Sequence, residues 1–148
     1  MVSVGNLKRE HEEIFRSLLD FEEEINNGEK DPLKLSYHLN KTIDLILYHN
    51  QNHKSFLEDF DGEEANNIKN QINKSRINPR EIRGHIFVIS KAISSNNGGI
   101  KTALENDGRM FISKVKEHIL NEEMILDKML FLGVLQSQEN RNKIEEIH

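Results

Sequence analysis

Residues 32–60 read PLKLSYHLNKTIDLILYHNQNHKSFLEDF, and this stretch decides the fold class. Large apolar side chains recur in it every three or four residues, the spacing that places side chains on one face of an α-helix. Pro32 suits the first turn of such a helix. His49 and His53 lie one turn apart on the apolar face. The stretch therefore predicts an amphipathic helix from about Asp31 to Phe60, with two imidazoles on its inner side.

Three other segments show the same apolar spacing. They run from about Val4 to Ile25, from about Pro79 to Ser94 and from about Ile100 to Leu132. Each carries one histidine on its apolar face: His11, His85 and His118. The polar residues 62–78 predict a short peripheral helix or an extended connection. We therefore expect one all-α domain over residues 1–132, an up-down-up-down four-helix bundle, followed by a polar C-terminal tail over residues 133–148.

The numbers of residues along the predicted helices place the histidines at a similar depth in the bundle. The segment from His11 to Asn27 and that from Leu33 to His49 are each 16 residues long, which is about 24 Å of helix. The last helix fits this scheme less well, because its leg to His118 is 18 residues against 12 for the helix before it. The last helix must overhang, or the loop before it must be longer.

Composition excludes several classes of protein. The formal net charge is −5 and no basic stripe occurs, so neither nucleic acid nor an anionic membrane is expected as a partner. No signal peptide or membrane span is apparent, and a cytoplasmic location is the expectation. The absence of cysteine excludes a disulfide framework, zinc-finger sites and iron–sulfur clusters. A metal ion would have to be held by imidazole, carboxylate or phenolate groups.

The histidines on the inner faces are candidate metal ligands. Five buried imidazoles at one depth would leave many ring nitrogens without partners unless they bound a metal. Iron and manganese accept imidazole together with carboxylate, and bundle cores often hold two such ions. Glu122 lies about 40° from the face of His118 and Glu123 about 140° from it, so Glu122 is the better ligand. The candidate set is His11, His49, His53, His85, His118 and Glu122.

The residues around these histidines resemble the hemerythrin-like, or HHE cation-binding, domain family. The resemblance rests on Arg9-Glu10-His11-Glu12-Glu13-Ile14 and on His118-Ile119-Leu120-Asn121-Glu122-Glu123, and it covers about residues 7–132. It implies a four-helix bundle with a non-haem di-iron centre. His11, His49, His85, His118 and Glu122 would then take ligand positions.

The chain departs from the family pattern at two positions. His53 stands where the first pair of ligands usually ends in glutamate, and Ile89 stands where the oxygen carriers have a second histidine in the third helix. Glu122 could bridge two metal ions together with oxo, hydroxo or water ligands. Glu81, one turn before His85, is a reserve carboxylate, and Glu123 is a second reserve if the ligand spacing is five residues.

The leading hypothesis for function is a cytoplasmic hemerythrin-like protein whose centre of two metal ions, expected to be iron, reversibly binds or senses dioxygen or nitric oxide. A di-iron redox enzyme or an iron–sulfur cluster repair protein is the second hypothesis. Metal storage or a structural zinc site is the third, and manganese remains an alternative metal. The sequence leaves open whether the protein is an enzyme, which protein partners it has, and whether His53 is a ligand.

Overall fold

A computed structural model describes residues 3–58, 63–75, 77, 79–95 and 98–131. Within these residues the chain is helical apart from short connections, contains no strand, and folds as an all-α bundle. None of the described helices is both long enough and apolar enough to cross a membrane. The helices are α1 (Val4–Asn26), α2 (Pro32–Glu58), α3 (Glu63–Ser75), α4 (Pro79–Ser95), α5 (Ile100–Ala103) and α6 (Arg109–Phe131), with a π-helical turn (Leu104–Gly108) joining α5 to α6.

Side-chain caps fix the starts of the first two helices. The Ser3 hydroxyl accepts a hydrogen bond from the Asn6 backbone N–H at 3.1 Å, and Asp31 Oδ1 accepts one from the Leu33 backbone N–H at 3.0 Å. Each bond satisfies an N–H group that has no partner inside its helix. The predicted helix starts at Val4, Pro79 and Ile100 are confirmed, and α2 begins one residue after the predicted start. The predicted end of the second helix at Phe60 and the polar tail over residues 133–148 lie outside the described residues.

Residues 63–75 are helical, which resolves the two structures predicted for this region in favour of a helix. Ile68 and Ile72 of α3 are buried one turn apart and pack in a cluster with Leu7 and Leu126. The same cluster contains Phe56. α3 therefore closes one end of the core.

The last helical segment is interrupted by the π-helical turn. Residues 100–131 are helical without a break, but Leu104–Gly108 form one wider turn. Such turns occur mostly as single insertions inside α-helices. The sequence predicted one regular helix here, because apolar spacing does not distinguish a single π-turn from α-helix.

Cross-helix contacts show the relative direction of the helices around α1. His11 contacts His49 and Ser17 contacts Thr42, so numbers rise along α1 while they fall along α2. Lys8 pairs with Asp127 of α6, and Glu22 pairs with Lys116 of the same helix. α1 is therefore antiparallel to both α2 and α6.

A polar layer divides the apolar core into two parts. On α1, His11 lies between Leu7 of the smaller cluster and Ile14 of the larger one. On α2, His49 and His53 lie between Ile46 and Phe56, and on α6, Glu122 lies between Ile119 and Leu126, again with one neighbour from each cluster. Three helices thus place polar side chains at the same level inside the bundle.

Candidate metal centre

Four buried side chains converge in the polar layer. They are His11, His49, His53 and Glu122, and one ligand atom from each lies within 4.8 Å of all the others. Their exposed fractions are 1% for His11 and 0% for the other three residues. Carboxylates and imidazoles are rarely buried completely without a specific partner.

The convergence follows from helical spacing on α2 and from the meeting of three helices. His49 and His53 are four residues apart, so they project from the same face of α2. His11 reaches the same point from α1, and Glu122 reaches it from α6. The group therefore depends on both local periodicity and packing.

The donor atoms are spaced like neighbouring ligands of one metal ion. Glu122 Oε2 lies 2.8 Å from His11 Nε2, 2.9 Å from His49 Nε2 and 3.3 Å from His53 Nε2. His11 Nε2 and His49 Nε2 are 3.0 Å apart. Donors bonded at about 2.1 Å and at right angles to each other are about 3.0 Å apart, and tetrahedral donors about 3.4 Å apart. The right-angle spacing lies within the measured range of 2.8–3.3 Å, and the tetrahedral spacing lies just above it.

Hydrogen bonds among the four side chains do not by themselves explain this arrangement well. Three Nε2 atoms approach the same carboxylate oxygen. If His11 and His49 both donated an Nε2–H to Glu122, two protonated nitrogens would lie only 3.0 Å apart, with neither able to accept a hydrogen bond from the other. A cation bound among the four donors would attract all of them through their lone pairs, so the residues fit a metal ion.

Three buried polar atoms of the group, two nitrogens and one oxygen, lack a hydrogen-bond partner in the described part of the chain. They are both ring nitrogens of His53 and Oε1 of Glu122. His53 Nε2 is 3.3 Å from Glu122 Oε2 but is not aligned for a hydrogen bond. Leaving a buried polar atom without a partner costs about 1–3 kcal/mol, so the pattern favours binding of a further group.

Burial and hydrogen bonding act in opposite directions on the ionisation of the group. Burial by itself would lower the pKa of His49, but its hydrogen bonds to Glu10 and Glu122 raise this pKa to about 9. Burial would raise the pKa of Glu122, but hydrogen bonds from His11 and His49 hold it well below its usual range. Glu122 is therefore a carboxylate, the charge state that binds a cation.

His85 and His118 lie outside this group of four. His85 Nδ1 donates to Asp107 Oδ1 at 2.8 Å, and Asp107 belongs to the π-helical turn. His118 Nδ1 donates to the backbone carbonyl of Ser75 at 2.8 Å. Ser75 is the last residue of α3, where carbonyl groups have no partner within the helix. The structure thus gives both histidines other partners.

The reserve carboxylates also lie outside the group of four. Glu81 Oε2 accepts a hydrogen bond from His118 Nε2 at 2.8 Å. Glu123 Oε1 lies 2.5 Å from the outer nitrogen of His11, Nδ1. Glu123 therefore points to α1, which is one of the two surroundings, another helix or solvent, expected for a side chain about 140° from the face of His118.

Glu10 contacts the group but was not predicted as part of it. Its Oε1 accepts a hydrogen bond from His49 Nδ1 at 2.7 Å. Glu10 precedes His11 in sequence, about 100° away around the helix, and it reaches a histidine on a different helix. The adjacency of Glu10 and His11 was visible in the sequence, but the cross-helix partner was not.

Comparison of the chain with protein-family models, with curated proteins and with solved structures finds no match. Inferences about function therefore rest on the residues and their geometry.

Proposed function

We propose that this protein is an iron-binding, hemerythrin-like bundle, with its long helices in up-down-up-down order, that reversibly binds or senses dioxygen or nitric oxide. The observation that carries the proposal is the buried convergence of three imidazoles and one carboxylate with 2.8–3.3 Å between Glu122 Oε2 and each Nε2 atom. A donor set of imidazoles with a carboxylate suits iron and manganese. Iron bound there would supply reversible redox chemistry and open coordination positions.

The chain's own residues would fix how the ion is reached and held. His11, His49, His53 and Glu122 supply four donors, which leaves two positions of a six-coordinate ion for other ligands. Their complete burial excludes bulky substrates, and this favours water-sized or diatomic ligands. The apolar clusters above and below the polar layer limit the water around the ion.

The four donors surround one position, so the proposal is one firmly held ion per chain. A second ion with His85 and His118 as ligands, as the resemblance implies, would require those side chains to leave Asp107, Ser75 and Glu81. Elemental analysis tests this point directly. We expect about one iron ion per chain after anaerobic loading with Fe(II) and desalting, and a content near two that falls to one in His85→Ala and His118→Ala would assign the second ion to that pair.

Metal content and spectroscopy together test the proposal. Fe(II)-loaded protein should bind nitric oxide with a new visible absorption and an electron paramagnetic resonance signal, and both should disappear when the gas is removed. His38→Ala is the control, because this histidine lies about three turns from His49 along α2. Protein that takes up no transition metal would refute the proposal. Protein that binds zinc but not iron would favour a structural site, and catalytic turnover with a reductant would favour an enzyme.

A further inference from the structure

Two carboxylates outside the group of four, those of Glu10 and Glu123, each contact one of the candidate metal ligands at its Nδ1 atom. We call these two groups the outer carboxylates. Glu10 of α1 accepts a hydrogen bond from His49 Nδ1 on α2 at 2.7 Å. Glu123 of α6 lies 2.5 Å from His11 Nδ1 on α1. In each pair the opposite ring nitrogen, Nε2, faces Glu122. The two carboxylates therefore contact the two histidines on the side away from the convergence point.

Each outer carboxylate is itself held by its second oxygen. Asn52 Nδ2 donates to Glu10 Oε2 at 2.6 Å, and Lys8 Nζ lies 3.3 Å from Glu123 Oε2. The side chain of Glu10 is 11% exposed and that of Glu123 is 27% exposed. These are anchored, partly buried positions and not freely rotating surface charges.

A neutral imidazole that donates its Nδ1–H to a carboxylate has its Nε2 lone pair free for a metal, so a bound ion has only to displace the proton that Nε2 carries in the charged ring. The hydrogen bond also fixes the ring plane, and the negative charge makes Nε2 a stronger donor. His53 lacks this support, because its Nδ1 has no hydrogen-bond partner in the described part of the chain. The three histidines are thus unequal in their outer contacts.

We infer that Glu10 and Glu123 are positioning residues of the metal centre, which orient His49 and His11, strengthen them as ligands and favour the more highly charged state of a bound ion. This inference rests on the proposed function, because it requires a metal at the group of four. It assigns each histidine's supporting carboxylate to a different helix, so α1, α2 and α6 must all be packed before the ligands are oriented. Metal affinity then depends on the assembled bundle.

Substitution of the outer carboxylates by glutamine removes the charge with little change in shape. We expect Glu10→Gln and Glu123→Gln each to weaken Co(II) binding by about 10–100-fold, measured by competition with a coloured chelator, with stoichiometry unchanged at saturation. In iron-loaded protein, each variant should also shift the midpoint potential to a more positive value, because a lost negative charge destabilises the ferric state. Glu12→Gln and Glu117→Gln, at exposed positions of α1 and α6, are matched controls that should bind like wild type.

Asn52→Ala gives an independent test that leaves both carboxylates in place. It removes the donor that holds Glu10, and we expect a smaller loss of affinity in the same direction. Unchanged affinity and potential in Glu10→Gln and Glu123→Gln, with wild-type binding intact, would overturn this inference alone. A wild-type protein that binds no Co(II) or iron would overturn the proposed function and this inference with it.

Discussion

Among the single residues, His53 gives the most direct evidence that the group binds a further ligand. It is completely buried, and neither ring nitrogen has a hydrogen-bond partner in the described residues. A buried histidine kept only for packing would be expected to satisfy at least one nitrogen. Its position one turn after His49 explains why it shares the same inner face.

Replacement of His53 by leucine should separate binding from stability. We expect His53→Leu to lower metal affinity sharply, since one of four donors is lost. The metal-free protein should be as stable as wild type or more stable, because an unpartnered polar group is replaced by an apolar one of similar size. Metal titration and chemical unfolding in the presence of a chelator measure the two effects. Wild-type metal affinity in this variant would remove His53 from the centre, whereas His38→Leu should leave metal affinity unchanged.

Glu122 is the residue on which the three imidazoles converge, and its replacement should affect both properties. We expect Glu122→Gln to reduce metal content to background and to destabilise the metal-free protein by about 3–5 kcal/mol, because a buried charge partner is removed. Elemental analysis and urea unfolding provide the measurements. Glu117→Gln, an exposed position on the same helix, is the control. Normal metal content in Glu122→Gln would contradict the ligand assignment.

At the scale of elements, the contact between α1 and α2 includes a buried hydroxyl pair away from the metal centre. Ser17 Oγ and Thr42 Oγ1 are 2.6 Å apart, and Thr42 donates to the backbone carbonyl of His38 at 2.7 Å. With its hydrogen used in that bond, Thr42 accepts from Ser17. This polar contact fixes the register of the two helices within an otherwise apolar interface.

Thr42→Val tests the hydroxyl contact with almost no change in volume. We expect it to destabilise the protein by about 1–3 kcal/mol, since Ser17 is left buried without its acceptor. The double variant Ser17→Ala with Thr42→Val should recover part of that loss, because both polar groups are then absent. Urea unfolding of the four proteins of this cycle measures the coupling. Thr102→Val, at an exposed position, should change stability by about 0.5 kcal/mol or less, and purely additive effects in the cycle would contradict the contact.

At the scale of the whole molecule, the stability of the metal-free protein and its affinity for a metal ion should change in opposite directions above about pH 6.5. The pKa of His49 rises from 6.5 to about 9 on folding, so its stabilisation is complete below about pH 6.5 and is lost as the pH rises through 9. The pKa of Glu122 is lowered, so its stabilisation is present above pH 4.5 and is lost at lower pH. The metal-free protein should be most stable between these limits.

We expect the metal-free protein to lose stability on the order of 3 kcal/mol between pH 6.5 and 10, measured by urea unfolding with a chelator present. Metal affinity should instead increase over this range, because protons compete with the ion for Nε2 of His49. His49→Gln should abolish the loss of stability attributed to this residue. Greater stability of the metal-free protein at pH 10 than at pH 6.5 would contradict the pairing of His49 with Glu10 and Glu122.

The local features of this protein could be read from its sequence. Apolar spacing located α1, α2 and α4, and it placed His11, His49, His53 and Glu122 on inner faces, because the phase of a helix depends only on residues a few positions apart. The same reasoning predicted that Glu122 faces the core and that Glu123 points elsewhere, as the structure has them. The structure brings four of the six candidate residues to within 4.8 Å of one another, and it leaves His85 and His118 outside the group.

Only the tertiary structure decided which distant side chains meet. α3 packs against the core and offers the Ser75 carbonyl to His118, and the π-helical turn brings Asp107 to His85, so neither histidine joins the group of four. Glu10 supports a histidine 39 positions away in the chain. The spacing of apolar residues within one helix does not predict such pairs. The free energy that selects them comes from packing and hydrogen bonding between helices.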